Sequence, residues 1–318
     1  MQTEQALQQV LSLLENRSFE EAEKLCRQIL VEEPRQPEAN YCLGNIFKQT
    51  NQMATAKSFF KIALEVRPTE TKFWISFIES LIHLDRLEPA EKALREGQKK
   101  GLPKQVTSHL VSRIDLGKKA LVLRGALASM PEDPKGQFNL GNIYNQLDKP
   151  QDAVKSYKQA IKANPKFTSA YFNLGLTLEK LGEFDLSLKS YKQAIATKPG
   201  YAEAYNNLGN VFNKLGDSDS AIKSYKRAVA TRRDFSEGYY NLARTFQNKG
   251  GLTKAIKYCE KAIKLHPRNF EALNSLGLMH MELRQLDDAI INFQNALAIE
   301  PNYITALNNL GAAFNEQG

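Results

Sequence analysis

The sequence predicts an all-α fold, a solenoid of antiparallel helix pairs. Three observations predict it: a short phrase that returns at a fixed interval, apolar residues at helical spacing within each copy, and Gly or Pro where a helix must stop. The phrase is centred on Leu-Gly or Leu-Ala, and its leucine recurs every 34 residues. A constant interval of this size indicates a repeat array, which buries its apolar faces by stacking each copy on its neighbours. These leucines are Leu140, Leu174, Leu208, Leu242, Leu276 and Leu310.

The first half of each repeat predicts an amphipathic helix. With the leucine numbered as position 7, positions 4, 7, 8 and 11 follow the spacing of one helical face. In one repeat these positions are Tyr205, Leu208, Gly209 and Phe212. The repeats then begin at Pro134, Thr168, Ala202, Ser236, Phe270 and Ile304.

The second half predicts another helix, which packs on the first. Ala221, Tyr225 and Ala228, at positions 20, 24 and 27, again share one face. Gly216 and Asp217 supply a helix stop and an N-cap between the two halves. Because positions 8, 20 and 27 hold small residues, we expect the two helices to approach closely. Prolines close four of the repeats, at Pro165, Pro199, Pro267 and Pro301.

This combined pattern, Tyr/Trp-x-x-Leu-Gly-x-x-Phe/Tyr followed by Ala, Phe/Tyr, Ala and Pro, resembles the tetratricopeptide repeat. The resemblance implies a right-handed superhelix whose first helices line the concave side. The pattern divides the chain into three segments, two stacks of repeats and, between them, the irregular segment 101–133. Residues 1–100 would form a stack of three repeats, and 134–318 a stack of five full repeats plus the first helix of a sixth.

The segment 101–133 breaks the rhythm, because the 63 residues from Thr71 to the repeat that begins at Pro134 are five fewer than two full repeats need. It holds two short apolar-periodic pieces that divide near Gly117, with Pro131 where a repeat would end. We interpret it as a degenerate, shortened repeat or junction between the two stacks. It bends the superhelix or offers a contact surface, or else it reflects sequence drift at a tolerant site.

Asparagine recurs on the first helices although it is a poor helix former. Position 6 is Asn in five of the six repeats, and position 9 is Asn in two. An amide side chain complements a peptide bond, so a row of asparagines can hold an extended chain by its backbone. The alternative is that each position-6 asparagine bonds the adjoining repeat. The predicted peptide-binding residues are Asn139, Asn142, Asn173, Asn207, Asn210, Asn241 and Asn309.

The phrase Ala-Tyr-x-Asn-Leu-Gly/Ala also resembles repeats in the superhelical arm of O-linked N-acetylglucosamine transferases. That resemblance implies an asparagine ladder that binds substrate polypeptide. The carboxylate-clamp variety of the family places lysine in the groove, and position 5 holds none here. We therefore expect a protein interaction scaffold that binds an extended peptide or a partner helix. The alternative is the substrate-recognition arm of a larger glycosyltransferase-like or other enzyme, with its catalytic domain elsewhere.

The net charge of +8 is concentrated in one part of the chain, because residues 134–318 contribute +7 of it. Its lysines fall on the second helices, away from the alanine and aromatic face, and we expect a solvated convex surface. Nucleic acid is not favoured as a partner, since the repeats lack the two-position base code of RNA-reading helical repeats. Lysines of this kind include Lys158, Lys189, Lys192, Lys223, Lys226 and Lys257.

Other sequence signals argue against an enzyme. The four histidines and three cysteines are scattered, without a metal-ligand pattern, a phosphate-binding loop or a nucleophile motif. We thus expect no cofactor and no metal. The sequence has no long apolar run, so we expect no membrane insertion and a cytoplasmic location. Leu307, Leu310 and Phe314 form an apolar stripe without a second helix to cover it, which favours self-association or a longer chain.

Overall fold

The computed structural model describes residues 2–318, and within them it contains eighteen α-helices and no β-strand. The predicted all-α fold of stacked helix pairs is confirmed. The chain divides into two compact units. The first holds the residues up to Pro131 together with Asn139–Asp152, and the second holds Glu132–Phe138 and Ala153–Gly318.

Seven helices precede Pro131 in the first unit, and the predicted stack of three repeats corresponds to the first six. The helices are α1 Gln2–Glu15, α2 Phe19–Glu32, α3 Pro37–Gln49, α4 Met53–Val66, α5 Thr71–His83, α6 Leu87–Lys99 and α7 Lys104–Ser129.

The remaining helices follow the 34-residue rhythm. In each repeat we name the first helix A and the second helix B. Helices α8 Pro134–Gln146 and α9 Pro150–Ala163 each contribute residues to both units. The others belong to the second unit: α10 Thr168–Lys180, α11 Phe184–Thr197, α12 Ala202–Lys214, α13 Ser218–Thr231, α14 Ser236–Asn248, α15 Leu252–Leu265, α16 Phe270–Glu282, α17 Leu286–Ile299 and α18 Ile304–Gln317.

The turn inside each helix pair reverses the chain through one residue in the left-handed region. In the pair α12–α13 this residue is Gly216, with φ +81°, and Asp217 then caps α13 by accepting a hydrogen bond from the backbone N–H of Ser220. Glycine adopts this conformation without a steric penalty. The predicted stop and N-cap are therefore confirmed in this repeat.

In the pairs α3–α4, α10–α11, α12–α13 and α16–α17 a glycine of the A helix lies against an aromatic ring of the B helix. A Cβ atom built on Gly209 would lie 2.5 Å from a ring carbon of Tyr225, and one built on Gly175 would lie 2.6 Å from Tyr191. Both tyrosines are fully buried. Only a residue without a side chain fits there, so the predicted close approach at position 8 is confirmed.

Helix α7 corrects the prediction for 101–133. The two short pieces expected on either side of Gly117 are one continuous helix of 26 residues. Gly117 is a packing residue and not a helix stop, because a Cβ atom at this position would lie 2.7 Å from a methyl carbon of Leu87. A mid-helix glycine costs roughly 1 kcal/mol relative to alanine, and close packing offsets that cost.

Helix α18 exposes part of its apolar face, as the sequence predicts. Leu307 and Phe314 are both exposed, and Leu310 is half-buried. Gly311 occupies position 8 of this repeat, but no heavy atom lies within 4 Å of a Cβ built there. Gly311 is thus the counterpart of Gly209 without an aromatic ring above it.

Candidate functional site

The A helices of the second unit form its inner face. Each A helix from α10 to α18 packs against the B helices beside it and also against the A helix of the next repeat. Successive B helices do not pack together in this way within the described residues. A double row of helices curves towards the row whose members lie closer together, so the A helices line the concave side. This agrees with the placement that the family resemblance implies.

Two of the predicted asparagines on this face donate hydrogen bonds to asparagines of the preceding repeat. The side-chain NH₂ of Asn241 donates to the side-chain oxygens of Asn206, at 2.9 Å, and Asn210, at 3.3 Å. The NH₂ group of Asn309 donates to Asn274 in the same way, at 3.0 Å. The alternative interpretation of position 6, a bond to the adjoining repeat, therefore applies to these two residues, and also to Asn207, whose side chain bonds the Tyr191 hydroxyl of the preceding repeat.

The direction of these hydrogen bonds is set by an acidic residue. The carboxylate of Glu237 accepts a hydrogen bond from the NH₂ group of Asn206, at 2.8 Å. Because a carboxylate can only accept, Asn206 must turn its NH₂ towards Glu237 and its oxygen towards Asn241. Asn241 then donates to that oxygen, and its own side-chain oxygen is left on the other side of the amide. No protein donor bonds that oxygen among the residues that the structure describes.

Asn207 lies at the same position one repeat earlier. Its side-chain oxygen is 3.5 Å from the NH₂ group of Asn210, and its side chain also hydrogen-bonds the Tyr191 hydroxyl. Burial raises the pKa of that hydroxyl, and the bond from Asn207 opposes the increase. Asn207 is half-buried.

A tyrosine of helix B extends the polar network through the core. The Tyr225 hydroxyl donates to the Asn210 oxygen at 2.8 Å and accepts from the NH₂ group of Asn213 at 3.1 Å. The Asn213 NH₂ also donates to the Thr245 hydroxyl at 2.8 Å, which joins two repeats. The hydroxyl of the buried Tyr225 is thus bonded on both sides, and the network links α12, α13 and α14.

These side chains surround an open cavity of about 460 Å³ on the second unit. Two of the predicted residues, Asn210 and Asn241, are part of its wall. The cavity is polar, because its lining consists of amides, hydroxyls and charged groups. The lining residues are Glu179, Asn210, Asn213, Lys214, Ser218, Tyr225, Glu237, Asn241, Arg244, Thr245 and Asn248.

The other predicted asparagines lie at repeat positions 6 and 9 of α8 and at position 6 of α10. Asn173 is half-buried on α10, in the second unit. Asn139 is exposed and Asn142 is half-buried, and both lie in the part of α8 that belongs to the first unit. Within the second unit the position-6 row therefore comprises Asn173, Asn207, Asn241 and Asn309, with Ser275 between the last two.

The sequence did not identify the partners that orient these amides. Asn206 and Asn274, at position 5, are only 1% and 4% exposed, and each accepts a bond from the next repeat. The available signal was an asparagine two residues before the leucine of the repeat. Glu237 had no signal, because its role depends on a contact between side chains 31 residues apart.

Among the described residues, no group of three or more His, Cys, Asp or Glu side chains is arranged to hold a metal ion. In the same part of the chain, no helix combines the length and apolar character that crossing a membrane requires.

Family models of the tetratricopeptide repeat match most of the chain. One model described as TPR repeat matches 141–182 and 277–318, and three described as tetratricopeptide repeat match 168–234, 258–291, and both 37–70 and 236–269. A search of the curated proteins returns no match to the sequence.

Solved structures of similar fold include MamA, at 27% identity and a TM-score of 0.50 over 54% of this chain and 93% of that one. YrrB, described as a TPR protein with an unusual peptide-binding site, matches at 19% identity and a TM-score of 0.50, over 59% of this chain and 97% of that one. Cut9 of the APC/C Cut9–Hcn1 hetero-tetramer matches at 16% identity and a TM-score of 0.51, over 92% of this chain and 58% of that one. At these identities the last two show the fold alone. With the 34-residue pattern and the family models, the chain belongs to the tetratricopeptide repeat family.

Proposed function

We propose that the protein is an interaction scaffold whose concave face, on α10 to α18, binds an extended peptide of a partner protein. The observation that carries this proposal is the orientation of Asn241. Its NH₂ group is held by the preceding repeat, so its oxygen is available to a ligand. An extended peptide presents backbone N–H groups, which are the donors that such oxygens require.

The orientation refines the ladder that the sequence suggests. The NH₂ group of Asn241 donates to both Asn206 and Asn210, so Asn241 offers the ligand an acceptor and not a complete amide pair. The NH₂ group of Asn309 donates one hydrogen bond, to Asn274. The peptide carbonyls then need donors from elsewhere in the groove. Asn248 and Ser218, both in the wall of the cavity, have side chains of the right kind.

The likeness to YrrB supports binding of a peptide as a function that this fold performs, since that protein is described as having a peptide-binding site. The deep polar lining of the cavity also suits a peptide backbone better than an apolar helix face. Binding of this kind involves no bond making or breaking, so the proposal assigns no catalytic step to these residues.

The test is a library of 12-residue peptides displayed on phage and selected on the full chain. The affinity of a selected peptide is then compared for the parent and for a triple variant in which Asn173, Asn207 and Asn241 become Ala. We expect the affinity to fall at least tenfold, because each lost hydrogen bond costs about 0.5–1.5 kcal/mol. Asn241 also bonds the neighbouring repeat, so a modest decrease in melting temperature is expected as well.

The matched control replaces Lys189, Lys223 and Lys257 with Ala, because these residues have the same 34-residue spacing on the exposed side of the B helices. Its affinity for the selected peptide should equal that of the parent. Equal affinity for the parent and the asparagine variant, with a folded circular dichroism spectrum for both, would contradict the proposed groove.

A further inference from the structure

One cation of the groove has no carboxylate partner. Arg244, at position 9 of α14, lines the cavity one turn beyond Asn241, and it forms no ion pair among the residues that the structure describes. Its guanidinium carbon lies 5.8 Å from the centre of the Tyr240 ring. The side chain is exposed, so its donors face solvent and can meet a ligand.

The other charged groups of the cavity are already engaged. The Lys214 ammonium pairs with Glu179 at 2.8 Å, and Glu179 also accepts from the Tyr191 hydroxyl at 2.9 Å. Glu237 accepts the NH₂ group of Asn206. Arg244 is therefore the charge that a ligand can satisfy, and a carboxylate would form two parallel charge-assisted hydrogen bonds with it.

Two repeats earlier, position 9 holds an apolar side chain where Arg244 is charged. Leu176 is at position 9 of α10 and is 40% exposed, in the place that Asn210 and Arg244 hold on α12 and α14. The surface beneath it is aromatic, because Phe172, one turn earlier on α10, packs 4.8 Å from Tyr201 between ring centres. This end of the groove therefore suits an apolar side chain of a ligand.

The distance between Leu176 and Arg244 predicts how many residues separate the two side chains of a bound peptide that contact them. Packed helices lie roughly 8–10 Å apart, so Leu176 and Arg244, two A helices apart, are separated by roughly 16–20 Å along the groove. An extended chain rises about 3.3 Å per residue, which corresponds to five or six residues. Side chains alternate between opposite sides of an extended chain, and only an even spacing places both on the side of the groove.

Resting on the proposed function, we propose that the groove selects an extended peptide in which an apolar residue and an Asp or Glu are six residues apart. The apolar side chain contacts Leu176, and the carboxylate binds the Arg244 guanidinium. The carboxylate is that of a side chain within the peptide. The peptide terminus is not required.

The experiment uses synthetic 12-residue peptides with amidated C-termini and a background of Ser, Thr and Gly. One Leu and one Asp are placed three, five or six residues apart, in both orders. Asn replaces Asp in one matched set, and Ser replaces Leu in a second. Binding to the full chain is measured by fluorescence anisotropy. We expect one order at the spacing of six to bind about tenfold more tightly than its Asn counterpart.

Two variants connect this preference to its residues. In Arg244→Gln the Asp and Asn peptides should bind equally, at the affinity of the Asn peptide for the parent. In Leu176→Asn, which copies the residue at position 210, the benefit of the peptide leucine should disappear. Arg227→Gln, on the exposed side of α13, is the matched control and should retain the full preference.

A preference for Asp that persists in Arg244→Gln, or that is the same at all spacings, would overturn the inference, as would failure of every peptide to bind at about 1 mM. The phage-selected peptide, measured on the parent and on the asparagine triple variant, separates these outcomes from failure of the proposed function. Reduced binding of both the Asp and the Asn peptides by that variant supports the groove even where the Arg244 result is negative.

Discussion

The pairs α12–α13 and α14–α15 fill the contact between positions 8 and 24, where helix A meets helix B, with different residues. In α12–α13 Gly209 lies against Tyr225, whose ring would be 2.5 Å from a Cβ atom at that glycine. In α14–α15 the equivalent residues are Ala243 and Cys259, both fully buried. The Ala243 methyl group occupies space that the smaller Cys259 side chain leaves free. The position-8 and position-24 residues therefore vary together so that the total volume is kept.

The two solutions differ in what they supply to the groove. The Tyr225 hydroxyl reaches the concave side and bonds Asn210, which also accepts from Asn241. The Cys259 thiol instead donates to the backbone oxygen of Ala272 at 3.2 Å, and burial raises its pKa to about 12. Position 24 of the repeat therefore has two roles. It fills the core in the five complete repeats from Pro134 onwards, and it supports the polar groove through a hydroxyl where it is Tyr191 or Tyr225.

The largest effect is expected when only Tyr225 of the Gly209–Tyr225 pair is changed to its counterpart in α14–α15. Tyr225→Cys leaves a cavity opposite Gly209 and should lower the free energy of unfolding by about 3 kcal/mol. Adding Gly209→Ala, which reproduces the pair found in α14–α15, should recover about 1 kcal/mol, because the new methyl group fills part of the cavity. Urea unfolding of the single and double variants measures both values.

Gly209→Ala alone places its methyl group against the Tyr225 ring and should be destabilising. A double variant whose cost equals the sum of the two single costs would show that the two positions are not coupled. The proposed exchange of volume between them would then be wrong.

A smaller effect, of roughly 1–3 kcal/mol, is expected from overpacking the same site with Gly209→Leu. The matched control is Gly311→Leu. Gly311 is at the same repeat position, with no heavy atom within 4 Å of a Cβ, so the control should not lower the melting temperature. Leucine is the better helix former, and the control is expected to gain up to about 1 kcal/mol. Similar losses in both variants would mean that glycine is needed at position 8 for a reason other than the opposing ring.

The smallest effect, about 1 kcal/mol, is expected from Tyr225→Phe, which keeps the ring and removes the hydroxyl. The Asn210 oxygen then loses a donor, and we expect the affinity for a selected peptide to fall by a factor of about 2–10. Phe293→Leu, at the same position in α17, is the control for a change in packing without a hydroxyl. Isothermal titration calorimetry measures the affinities. An unchanged affinity for Tyr225→Phe would show that the hydroxyl serves stability alone.

Much of the fold could be predicted from the sequence because it is encoded locally and repeated. Gly209, Tyr225 and Gly216 each recur in several repeats, so spacing alone reveals the packed face and the turn. Helix α7 was predicted wrongly because Gly117 has no repeated context. A glycine in a helix can be a stop or a close contact, and only the position of Leu87 decides between them.

The candidate site was harder to predict because its chemistry depends on direction. The asparagine row was visible in the sequence, but an amide is donor and acceptor at once, and its orientation comes from neighbours 31 to 35 residues away. The sequence suggested that the whole amide of Asn241 faces a ligand. In the structure the carboxylate of Glu237 acts through Asn206 and leaves only the oxygen.

This chain of hydrogen bonds makes the polarity of the groove adjustable from a distance. If a lysine replaced Glu237, a donor would stand where an acceptor stands now, and Asn206 would turn its oxygen towards it. Asn241 would then accept from Asn206, lose its hydrogen bond to Asn210, and present its NH₂ group to the ligand. A substitution that never touches the peptide would thereby exchange the kind of backbone atom that the groove recognises. Repeats that differ only at position 2 could in this way bind the two alternating edges of an extended chain.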